Sequence, residues 1–139
     1  MTFNNPKKEK GFSLLEVLIT VFILSIGLLG LAGLQTTSLK NNHSAQHRTS
    51  AIILSYDIVD RMRLNKNVSY SLALGDNPAG GSLKDQDLVD WTTDLANSLP
   101  SGDGSVVIVG DIVTVTVQWD DSRATEGSST QSFSMSTQL

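Results

Sequence analysis

The chain has 139 residues and no cysteine, which excludes a disulfide framework, a thiolate metal site and a cysteine nucleophile. Its net charge of −4 is unevenly spread: residues 1–11 carry +2, residues 40–66 carry +3, and beyond residue 70 ten acids face only Lys84 and Arg123. An acidic C-terminal half argues against nucleic-acid binding, which needs Lys and Arg clustered against phosphates.

Residues 1–11 are polar and basic, with Pro6 and Gly11 opposing a helix, and read as a tail. From Phe12 to Leu34 the sequence is apolar, long enough at 1.5 Å per residue to cross a hydrocarbon core of roughly 30 Å. The basic tail puts the N-terminus in the cytoplasm and everything after Leu34 outside. Glu16 is the only formal charge in this span. A carboxylate there costs roughly 2.5–3.5 kcal/mol on insertion scales and calls for a partner.

No Gly or Pro follows in residues 35–66. Ala45, Ile52, Tyr56, Val59 and Arg63 recur at helical intervals, with Ile58 and Met62 alongside, which predicts an amphipathic continuation of the same helix to about Asn65. Unbroken, that helix is on the order of 80 Å long. Residues 67–83 read as a loop rich in Ser, Asn and Gly. Leu88, Trp91, Leu95 and Leu99, stopped by Pro100, predict a short second helix from Lys84. Two β-rich runs flank Gly110–Asp111 as a hairpin. Val113, Val115, Val117 and Trp119 alternate onto its buried face, and Thr114, Thr116 and Gln118 onto its wet one. Gln131 to Leu139 alternates again, with Phe133 and Met135 on one face, and predicts a third strand.

The small residue Gly11 stands before the apolar run, between lysines and "FSLLE", whereas an ordinary secretory signal has its small residues after the apolar region. From Lys7 to about Leu34 the pattern resembles the class III signal of type IV pilins and type II secretion pseudopilins. The resemblance implies an α+β pilin fold: a long N-terminal helix packed on a small antiparallel sheet. It divides the chain into a leader (1–11), a membrane-spanning and filament-core helix (12–34), its amphipathic continuation (35–66) and a periplasmic head (67–139). It also implies that a prepilin peptidase cuts between Gly11 and Phe12 and methylates the new amine of Phe12, leaving 128 residues. Glu16 then pairs with such an amine, its own one turn away or a neighbouring subunit's during assembly. The implied partners are the peptidase, an inner-membrane assembly platform, other minor pilins and the major pilin.

"LSIGLLGLAGLQ", "DRMRLN" and "VTVQWDD" further resemble the minor pilins known as type IV pilus modification proteins. That points to a scarce subunit that primes or modifies the pilus, first in the inner membrane and then on the cell surface. Two readings compete with it. A type II secretion pseudopilin shares the leader, and a secreted or anchored binding protein with a conventional signal is cut after Ala32.

Gly27, Gly30 and Gly33 fall three apart in the span, suiting either close helix packing or local unwinding within a filament. His43 and His47 have metal-ligand spacing but no third ligand in sequence, and read as a solvated helix face. Asp103, Asp111, Asp120 and Asp121 lack EF-hand spacing for Ca²⁺. Arg61 and Arg63 suit a solvated helix end. Ser13 has neither His nor Asp to activate it. No catalytic residue, cofactor, metal site or nucleic-acid partner is expected.

Overall fold

The computed structural model describes residues 11–66 and 68–139; the leader's first ten residues lie outside this range. Five elements follow in order: α1 (Leu14–Leu64), α2 (Leu83–Ser98), β1 (Asp103–Val109), β2 (Ile112–Trp119) and β3 (Gln131–Gln138). The arrangement is α+β and pilin-like, a long apolar N-terminal helix with a small three-stranded antiparallel sheet. Two compact units are distinguished, Met1–Ser38 and Leu39–Leu139, and α1 is one continuous helix of 51 residues through their boundary.

In the first unit α1 opens on backbone bonds from Glu16 N and Val17 N to the Ser13 carbonyl, at 3.0 and 3.2 Å. It stays helical through Gly27, Gly30 and Gly33. A Cβ at any of these three would meet nothing within 4 Å, so no contact inside the chain requires their small size.

The second unit is built around two tryptophans. Ser82 caps α2 by accepting from Asp85 N, while the Asp85 carboxylate accepts from Ser82 N, a reciprocal capping box. The helix then buries Leu88, Trp91 and Leu95 at one-turn spacing, with Leu99 buried just beyond its end. Trp91 fits because Gly104 lies beneath it in β1: a Cβ there would overlap the indole ring. Its Nε1 donates to the Leu54 carbonyl of α1 at 2.9 Å, so α1 and α2 are joined at the centre of the core.

The sheet order is β1-β2-β3. Gly110, with φ +60°, makes the two-residue turn between β1 and β2, the left-handed conformation that such hairpins require. Val113, Val115, Val117 and Trp119 of β2 are all buried, and Thr114, Thr116 and Gln118 lie on the other face. Phe133 and Met135 of β3 pack partly buried against the same core.

The buried stripe of α1 differs from the sequence expectation. It comprises Ala51, Ser55, Ile58, Val59 and Met62, whereas Tyr56 is 53% exposed and Ala45 and Arg63 face solvent. Ala51 and Ser55 are small and buried, and Ser55 answers its own hydroxyl by donating to the Ala51 carbonyl at 2.7 Å. Residues 68–83 are also less loop-like than expected. Tyr70 is fully buried, and Leu72 exchanges both backbone bonds with Val106 of β1, at 3.0 and 2.8 Å.

Candidate processing and assembly site

The chemistry read from the sequence falls on Gly11, Phe12 and Glu16. Gly11, Phe12 and Ser13 precede the first helical residue and are exposed, Phe12 at 85%. Among the described residues the Gly11–Phe12 peptide takes part in no backbone hydrogen bond, and a protease can take it in extended form without unwinding α1. Ser13 occupies the position before the helix, which makes Glu16 its third residue. A carboxylate there is favoured by the helix dipole. The serine-to-glutamate spacing of a capping box is a signal in the sequence that the expectation above did not use. Among the described residues neither side-chain bond of that motif is formed, and the first turn is closed by backbone bonds to the Ser13 carbonyl.

Beyond Glu16 the helix surface is apolar on all sides. The large apolar residues from Val17 to Leu34 stand between 47% exposed at Ile19 and 76% at Leu29. Such a surface far exceeds the apolar patches that soluble monomers tolerate. Among the described residues α1 is the only helix long and apolar enough to cross a membrane. In the apolar segment of α1, up to Leu34, the other polar side chains are answered within the helix. Thr20 donates to the Glu16 and Val17 carbonyls at 2.9 and 2.8 Å, and Ser25 donates to the Val21 carbonyl at 2.7 Å. Back-bonded hydroxyls cost little in hydrocarbon, so the Glu16 carboxylate is the group that needs an external partner.

The second unit has two polar clusters, neither expected. Asp121, 5% exposed, accepts from Ser44 Oγ at 2.5 Å and stands 3.4 Å from His47 Nδ1. His47 is therefore not part of a solvated face, whereas His43 is exposed. The aspartates weighed for Ca²⁺ are dispersed. Asp103 accepts from Gly75 N and Gly104 N, and Asp120 from Ser122 N. That last bond is the main reason the Asp120 carboxyl lies below the usual carboxylate range. Among the described residues no group of three His, Cys, Asp or Glu is placed to hold a metal ion.

The other cluster surrounds Arg61, which contacts Asp57 at 2.9 Å, Asp87 at 3.6 Å, Asp90 at 3.9 Å and Asp94 at 4.0 Å. It binds α1 to α2 and is not a free helix end. Arg63 pairs with Asp60 at 3.0 Å and donates to Thr137 Oγ1 of β3 at 3.4 Å. Asp87 also accepts from the buried Tyr70 hydroxyl at 2.6 Å. Burial, then that hydrogen bond, raises the tyrosine pKa above its ordinary value.

An exposed peptide ahead of an apolar helical segment with a single carboxylate in its first turn fits a membrane-anchored pilin. Residues 6–32 match the family described as a prokaryotic N-terminal methylation motif, which supports a type IV pilin-like protein and a substrate of prepilin peptidase. No curated protein and no solved structure matches the chain.

Proposed function

We propose that this chain is a minor structural subunit of a type IV pilus, of the PilV type, whose role is assembly and not catalysis. The observation that carries the proposal is the exposed Gly11–Phe12 peptide placed directly before an apolar helical segment, running to Leu34, whose one charge is Glu16. Cleavage at that bond frees the Phe12 amine, and methylation keeps it positively charged. The amine then lies one helical turn from Glu16, on the same helix face. In an apolar bundle an unpaired carboxylate is strongly unfavourable, so the Glu16 of one subunit and the amine of a neighbour set the axial register between them. Burial of the apolar segment among other such helices supplies cohesion, at about 25 cal/mol per Å². The head faces the periplasm before assembly and the exterior afterwards.

The test is the mature N-terminus together with the destination of the chain. Mass spectrometry of pili sheared from producing cells should find a chain beginning at methylated Phe12, present at a small fraction of the major pilin. Gly11→Val should leave the leader attached. A mature chain beginning at Gly33 supports the conventional-signal alternative. Absence from pili, with loss of protein secretion on deletion, supports a type II secretion pseudopilin.

A further inference from the structure

We infer that the free edge of β3 is a docking site for an extended, basic-flanked strand of a non-identical subunit, added to the sheet as a fourth strand. This deepens the reading as an assembling subunit and rests on it. Leu139 N donates to the Asp111 carbonyl at 3.3 Å, and Val113↔Thr137, Val115↔Met135 and Val117↔Phe133 follow in the same register. In an antiparallel ladder hydrogen-bonded pairs alternate along the strand, so these β3 residues direct their backbone groups to β2. Ser132, Ser134 and Ser136 direct theirs away from it. The same register closes the β1–β2 hairpin on Val109↔Ile112, as a two-residue turn requires.

Those outward N–H and C=O groups have no partner among the described residues. Natural edges of this length are usually blunted by charge, proline or a bulge. β3, QSFSMSTQ, contains no charge and no proline, and it pairs with β2 without a bulge. The opposite edge is not equivalent, since Leu72 bonds across β1 at Val106.

The sheet also specifies its occupant. Phe133 and Met135 are only half-buried on the core face, so the added strand should place apolar residues beside them. On the outer face hydroxyls already pair across strands, Thr114 with Ser136 at 2.9 Å and Thr116 with Ser134 at 3.0 Å, and Ser or Thr would continue that row. A second copy is disfavoured, because the unit Leu39–Leu139 carries twelve acids against seven bases, a net charge of −5, and would bring two like fields together. Basic residues at the ends of the incoming strand complement that field.

Amide hydrogen exchange on the full chain in detergent tests this directly. The probe is a short peptide alternating valine and threonine with a lysine at each end. Saturating peptide should slow exchange at Ser132, Ser134 and Ser136 by about tenfold or more, and leave Phe133 and Met135, already bonded to β2, unchanged. Glutamate ends should weaken the effect. Ser134→Pro removes the outward N–H together with the exposed hydroxyl that Ser134→Ala removes alone, so the proline variant should keep the unfolding midpoint of the alanine variant and abolish the protection, which Ser134→Ala should retain. Should the proline variant unfold, the wild-type exchange pattern still decides. Uniform or absent protection overturns the inference. Protection that grows with the chain's own concentration, without peptide, also overturns it by making a second copy the occupant. Immunoblotting of sheared pili judges the filament reading separately.

Discussion

Ser44 Oγ donates to the Asp121 carboxylate across 2.5 Å, joining residues 77 apart in the chain. A carboxylate this buried is tolerable only when its oxygens are answered, and Ser44 and His47 answer one each. Asp121→Ala should lower the stability of the C-terminal unit by about 1–3 kcal/mol, and Ser44→Ala by about 1 kcal/mol. Because the two residues share one bond, the double variant should lose less than the sum. Denaturant unfolding of the full chain in detergent checks this, and strict additivity would show that the contact carries no energy.

Arg61 is held among four aspartates, so deleting it has an effect beyond one lost ion pair. In Arg61→Ala, Asp57, Asp87, Asp90 and Asp94 would face one another without a cation. The cluster is partly solvated, which limits the loss to about 1–2 kcal/mol. The excess repulsion should be screened by salt. Thermal unfolding of the variant should therefore shift upward between low and high ionic strength by more than that of the wild type. An equal shift in both would mean that the aspartates do not interact.

Tyr70 connects stability to alkaline pH. Its pKa in the folded chain is raised above the ordinary 10.0, first by burial and then by its bond to Asp87. The folded state thus retains a proton that the unfolded state loses. The contribution is complete below about pH 10 and is lost as pH rises through the folded value. Tyr70→Phe should flatten the decline in unfolding midpoint above pH 10, and an unchanged slope would assign that decline to another group.

Trp119 is 2% exposed, and its Nε1 has no hydrogen-bond partner among the described residues. Truncation to Ala should cost about 3–5 kcal/mol. Trp119→Phe keeps much of the apolar ring and removes the unanswered donor, so it should cost far less, about 1 kcal/mol. Equal losses for the two variants would mean that shape alone governs the site.

Alternation is a local signal, and it carried the sheet: the face of β2 from Val113 to Trp119 and the turn at Gly110 could be read directly. The stripe Leu88, Trp91, Leu95 and Leu99 was legible for the same reason. On α1 the bulky residues misled, because the small Ala51 and Ser55 are buried whereas Tyr56, which hydrophobicity favours, is exposed. Tyr70 lay hidden as a lone aromatic in polar sequence. His47 and Asp121 are 74 residues apart, and no spacing rule brings them together. Gly11, Phe12 and Glu16 fall within a few consecutive residues, so their pattern is visible without a fold. The partner of Glu16 is not, since the proposed amine exists only after the chain is cut.

That dependence gives the clearest prediction for the N-terminal segment. Glu16 is the sole formal charge from Phe12 to Leu34, and neighbouring hydroxyls are already bonded to helix carbonyls. Glu16→Val makes the span more apolar, so membrane insertion should be undiminished. The Gly11–Phe12 peptide lies before the helix, so cleavage should also survive. What the variant lacks is the carboxylate proposed to answer a neighbour's amine. It should accumulate in the membrane as a mature chain and enter pili at about a tenth of the wild-type level or less, the loss of about 1.4 kcal/mol or more of pairing. Glu16→Asp keeps the charge on a shorter stem and should fall between the two. Fractionation with mass spectrometry of the N-terminus separates the steps. A Glu16→Val chain that is processed and incorporated at wild-type levels would refute the pairing role, and one that retains its leader would move Glu16 into peptidase recognition.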